Sequence, residues 1–138
     1  MPAPVELIRG VPLFAGLSGR DLERLARSFK QSTFSAGDTI AKEGEGGVGF
    51  FVISEGTVTY TVRGEAKGSG GPGGYFGEIA LIDDGARSAT VTAATDVTAY
   101  GLTSWDFRPV VEENATVAWH LLLALAKRLR EAQRELSS

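Results

Sequence analysis

Hydrophobic and polar positions follow three different rhythms along the chain. In "RDLERLARSF" (20–29), Leu22, Leu25, Ala26 and Phe29 recur at helical spacing. Ser18 precedes them as N-cap, with Asp21 three residues later in an acidic variant of the capping box. From residue 31 the rhythm shortens. "TVTYTV" alternates Val58, Tyr60 and Val62 with Thr57, Thr59 and Thr61, the pattern of a half-buried strand. "STF", "TIAKE", "VGFFVIS", "ATVTAAT" and "VTAYGL" read as further short strands. Helical spacing returns after 103, with Thr103 or Ser104 as N-cap of "WDF". From Ala115 onward, Leu122, Leu125, Leu129, Ala132 and Leu136 recur at alternating steps of three and four. No Gly or Pro interrupts that run, so a helix of roughly 30 Å is expected at 1.5 Å per residue.

The chain therefore divides into helical residues 1–30, a β zone over 31–103 and helical residues 104–138, within a single domain spanning 1–138. Most of the 18 glycines fall in the β zone, where turns need them. The stretch "RGEAKGSGGPGG" (63–74) reads as a glycine-rich connector. Many short strands at this spacing predict a small antiparallel barrel or jelly roll. The period-two pattern breaks at 75–87. There Phe76, Ile79, Ala80 and Ile82 share a helical face and "DDG" closes the element, so a short helix is inserted between two strands.

Composition removes several chemistries. The 138 residues contain no cysteine and one histidine, which excludes disulfides, thiolate nucleophiles, Cys-based zinc sites and His-cluster metal centres. A cupin-like reading of the β zone falls for the same reason. The net charge of −3 gives nothing that draws the chain to nucleic acid. Lys127, Arg128, Arg130 and Arg134 are interleaved with Glu131 and Glu135, as on a solvated helix face. The longest apolar run, "VAWHLLLALA" (117–126), is about half the ~20 residues of a membrane span. The first residues lack a basic n-region, so a cytoplasmic location is expected.

Within 75–91 the apolar pattern is interrupted by Glu78 and Arg87. Gly77 lets another group approach the backbone, and the amides of 78–81 form a helix N-terminus suited to an anion. The planar fork of Arg87 suits a phosphate, and Ser88 adds a neutral donor. Glu78 repels phosphate but accepts strongly from a sugar hydroxyl. A phosphate beside a vicinal hydroxyl is what a cyclic nucleotide presents. A Glu78–Arg87 ion pair across the turn is the plainer alternative, and the two are compatible.

The run "FGEIALIDDGARSATV" (76–91) resembles the phosphate-binding cassette of cyclic nucleotide-binding domains. "PLFAGLS", "AGDTIAKEGEGG", "FFVISEGTV", "PGGYFGE" and "LLLALAKRLREAQREL" resemble the flanks of the same family. The resemblance implies a mainly β fold with flanking helices: an antiparallel jelly-roll β-barrel with an inserted short phosphate-binding helix, N-terminal helices and a long C-terminal helix. It implies a ligand site of Phe76, Gly77, Glu78, Ile79, Ala80, Arg87, Ser88 and Ala89. Glu78 would hold the ribose 2′-hydroxyl, and Arg87 with the cassette amides the cyclic phosphate. A residue of the last helix, for which Arg128 is the candidate, would cover the base. The chain departs from the family at Val48 and Gly74, where acids are frequent, and in its glycine-rich 63–74.

The resemblance points to a sensing module, not an enzyme, that takes cyclic AMP in preference to cyclic GMP and needs no cofactor beyond that ligand. Occupancy would pass through the C-terminal helix to an output domain, a partner protein or a second copy. The alternative class is a family relative without ligand that works as an interaction domain; such relatives lose the cassette Glu or Arg, and this chain has both. His120 reads as a packed histidine and Asp83–Asp84 as a solvated turn, so neither supplies a catalytic group.

Overall fold

The structure is a computed structural model that describes residues 3–14, 16–45, 49–77 and 87–137. Two short helices, α1 (Val5–Arg9) and α2 (Gly19–Ser28), flank a single 3-10 turn at Pro12–Phe14. Ser18 caps α2, accepting from the Asp21 amide at 3.2 Å, as the sequence predicts. Eight strands follow among the described residues: β1 (Lys30–Phe34), β2 (Thr39–Ala41), β3 (Phe50–Glu55), β4 (Val58–Val62), β5 (Glu65–Gly70), β6 (Tyr75–Phe76), β7 (Thr90–Ala93) and β8 (Val97–Leu102). Two helices close the chain, α3 (Ser104–Glu113) and α4 (Ala115–Ser137).

The strands form two four-stranded sheets, ordered β1-β8-β3-β6 and β2-β7-β4-β5, and every pairing is antiparallel. Chain neighbours β1 and β2 lie in different sheets, as do β7 and β8, which is the jelly-roll winding. The expected jelly roll is present, but not as a closed barrel: the described strands remain two separate sheets.

Alternation along the central strands supplies two cores. In β3, Phe50 and Val52 face the helices, while Phe51 and Ile53 face the opposite sheet. The outer core gathers α1, α2, the 3-10 turn, α3 and the start of α4 around Phe14, whose ring meets Phe29, Phe50 and Phe107 edge-on. The inner core holds Ile53, Val58, Val91, Ala93, Val97 and Ala99 between the sheets. Each large apolar side chain so buried contributes about 1.5–3 kcal/mol. Burial of both faces explains why "FFVI" is continuously apolar instead of alternating.

One expectation changes, and the C-terminal helices gain detail. The glycine-rich 63–74 is not a connector: its middle is β5, hydrogen-bonded to β4 with a register shift between Tyr60 and Thr61. The backbone ladder builds this strand where side chains give no pattern. Asn114 separates α3 from α4 in an extended conformation (φ −140°, ψ 100°). Its Oδ1 accepts from the Thr116 amide at 3.0 Å and its Nδ2 donates to Asp21 of α2 at 2.9 Å, so it caps α4 and ties the joint to α2. Most of the leucine stripe of α4 faces outward, although Leu125 packs partly against the outer core. Val117 and Leu121 carry its packing, while Leu122, Leu129 and Leu136 are 57%, 60% and 88% exposed. At 23 residues, α4 is about 34 Å long.

Candidate functional site

The site assembles around Arg87, just ahead of β7. Its main chain is held from both sides by the turn after β2: Arg87 N–H donates to the Glu45 carbonyl at 2.9 Å, and the Arg87 carbonyl accepts from Gly44 N–H at 2.9 Å. Its side chain reaches across to β3, where Nη2 donates to the Gly49 carbonyl at 2.6 Å. Gly44, Glu45 and Gly49 thus fix both the main chain and the guanidinium of a residue 38 positions beyond Gly49.

Phe76 and Gly77 supply the floor. Phe76 pairs with Phe51 across β6 and β3, and their rings stack at 5.4 Å. Phe76 also meets the edge of Tyr60 at 6.2 Å. That anchoring leaves Gly77 at φ +88°, directly under Arg87. A Cβ on Gly77 would collide with Arg87 Nη1 and come within 2.6 Å of the Gly49 carbonyl oxygen. Glycine is required here on two independent grounds, conformation and space.

The guanidinium is only partly satisfied. Its Nε is buried and has no hydrogen-bond partner among the described residues. Burial pushes its pKa below the ordinary arginine value, because desolvation disfavours the charged form. An arginine stays protonated even so, and a half-buried cation whose Nε has no partner among the described residues is suited to an anion. Tyr60, half-buried on β4, has its phenol pKa pushed up by the same cause. With apolar rings to one side and an underused cation on the other, the arrangement suits a ligand that is part aromatic and part anionic.

The structure brings Phe76, Gly77 and Arg87 together. Ser88, exposed, and Ala89, half-buried, continue from Arg87 into β7. Arg128 lies on the exposed C-terminal half of α4, and none of the contacts around Arg87 given above involves it. Glu78, Ile79 and Ala80, the inserted helix, Asp83–Asp84 and Val48 lie outside the described residues. Gly74 is accounted for: it closes a turn onto the Gly71 carbonyl at 2.9 Å, and its own carbonyl accepts from Ile53 N–H at 2.8 Å. His120 packs against Gly16, where a Cβ would lie 2.9 Å from its Nε2, as expected of a packed histidine. Sequence reasoning missed Gly49, Gly44 and Glu45, which act through backbone atoms that no side-chain chemistry announces. The one signal for Gly44 and Glu45 was their place in "KEGEGG", quoted above for resemblance alone, while Gly49 lay in "VGFFVIS", read as a strand.

Among the described residues no helix is long and apolar enough to cross a membrane. The jelly-roll order and an arginine seated over a glycine suit a small anionic ligand. Residues 31–114 match the family model described as cyclic nucleotide-binding domain, and the chain belongs to that family. It is 37% identical over 82% of its length to a cyclic nucleotide-gated potassium channel of Mesorhizobium japonicum, of which the match covers 31%. It is 31% identical over 94% of its length to the cyclic AMP receptor protein of Thermus thermophilus, covering 62% of that protein. Among solved structures, the N-terminal domain of a transcriptional regulator from Streptomyces coelicolor superposes with a TM-score of 0.80 at 35% identity, over 91% of this chain and 94% of the other. The chain thus spans less than two-thirds of the curated relatives it matches.

Proposed function

We propose that this chain binds a cyclic nucleotide, cyclic AMP in preference to cyclic GMP, and serves as a regulatory sensor in the cytoplasm, not as an enzyme. The observation that carries the reading is the Arg87 guanidinium, seated over Gly77 with a buried Nε that lacks a partner among the described residues. In this reading Arg87 holds the cyclic phosphate, Glu78 accepts from the ribose 2′-hydroxyl, Ile79 and Ala80 offer amides, and Ser88 and Ala89 complete the cassette. Arg128 of α4 covers the base, and occupancy passes along α4 to an output domain or partner. The relative named as a cyclic AMP receptor supports the choice of base.

A calorimetric titration with cyclic AMP and then cyclic GMP tests the proposal, with Arg87→Ala as the control. Saturable binding, tighter for cyclic AMP and lost in the variant, is expected. Each charge-assisted hydrogen bond to phosphate contributes about 1.5–3 kcal/mol, so losing two weakens binding by about a hundredfold or more. Wild-type affinity in a folded Arg87→Ala chain would overturn the assignment.

The outward leucines of α4 favour a second, compatible reading: α4 is also an interaction surface, for a partner helix or for a second copy of this chain.

A further inference from the structure

The turn that clamps Arg87 does a second job. It spans 42–45, closed by Glu45 N–H donating to the Lys42 carbonyl at 3.1 Å. Glu43 sits inside it and points both ways. Its backbone N–H donates to Thr90 Oγ1, on the strand that Arg87 leads into, at 3.0 Å. Its carboxylate Oε1 accepts from Arg63 N–H at 2.9 Å. Arg63 and Gly64 are the two-residue turn joining β4 to β5, with φ +53° and +81°. Both angles suit the tight hairpin turn, the first is unfavourable for arginine, and Glu43 reaches that residue from outside the turn.

The ladder between β4 and β7 ends where Thr61 faces Thr90, and beyond that pair the β4–β5 hairpin has little to orient it. β5 is the edge of its sheet, mostly exposed, and carries glycine at 68 and 70, which leaves few side chains to pack. Yet β4 delivers Tyr60 to the ring of Phe76, next to Gly77. The hairpin is therefore one wall of the site and Arg87 the other. We infer that Glu43 is a positioning residue for the nucleotide site, whose side chain pins the tip of the β4–β5 hairpin, beyond the end of the β4–β7 ladder, to the turn that clamps Arg87.

The inference rests on the cyclic-nucleotide reading above. Cyclic AMP titration of the full chain, as wild type, Glu43→Ala and Glu43→Gln, tests it. Glu43→Ala is expected to weaken binding about fivefold, the size of one lost hydrogen bond, with the ligand-free melting midpoint unchanged. Glu43→Gln keeps an acceptor oxygen and restores the affinity, and amide exchange at Arg63 speeds up only in Glu43→Ala. Unchanged affinity in Glu43→Ala, equal losses in both variants, or a loss matched by a lower ligand-free midpoint overturns the positioning role alone. A wild-type chain that binds neither cyclic AMP nor cyclic GMP overturns both readings together.

Discussion

Gly77 concentrates what a single position can decide. Its φ of +88° is disfavoured for any residue with a Cβ, and that Cβ would meet the Gly49 carbonyl oxygen at 2.6 Å. Backbone strain of this kind costs about 1–3 kcal/mol. Gly77→Ala is therefore expected to lower stability by about that amount in a denaturant titration. It should reduce cyclic nucleotide affinity further still, because Arg87 must leave its seat to make room. A variant that loses stability but keeps wild-type affinity would separate the glycine from the site. Arg87 and Gly77 were legible in the sequence because each matters through its own type, a planar cation and a missing Cβ. Gly49 was not, since its contribution is a carbonyl oxygen that any residue carries, and only its position in space makes it an acceptor for Arg87.

Among the elements, legibility followed side-chain periodicity. β4 and α2 announced themselves through alternation and helical spacing, and both N-caps fell where hydroxyl residues preceded an acid. β5 was hidden because Gly68 and Gly70 contribute backbone to the ladder and no pattern to the sequence. In α4 the stripe was legible but not its direction: packing falls to Val117 and Leu121, one face away from Leu122, Leu129 and Leu136. A ligand shifts α4 only if it contacts the helix differently in two arrangements. Amide exchange over 115–136 is expected to slow on saturation with cyclic AMP, and removal of residues from Lys127 onward to reduce affinity and base discrimination together. Protection confined to 75–91 would remove α4 from the signalling route.

For the whole molecule, the exposed leucines bear on the proposed association through α4. Leu122, Leu129 and Leu136 recur every seven residues on an outward face, the spacing of a helix seam. Sedimentation of the full chain is expected to show concentration-dependent self-association, abolished by Leu129→Lys without loss of the fold. A monomer at every concentration would assign the face to another partner.

The order of strands has a consequence in time. β1 finds its partner only when β8 has been made, with Lys30 facing Gly101 and Phe34 facing Val97. Such distant pairing makes folding slow, because loop closure must precede the contacts that reward it. The clamp on Arg87 obeys the same schedule, since it draws on the turn before β3, the end of β6 and the approach to β7. No early segment of the growing chain holds a partial version of it. A nascent chain that lacks any of these segments is therefore deaf to ligand, and competence to bind arrives late and all at once. Ligand then drains the unfolded pool by mass action, so abundance in the cell is itself expected to rise with the nucleotide the protein recognises.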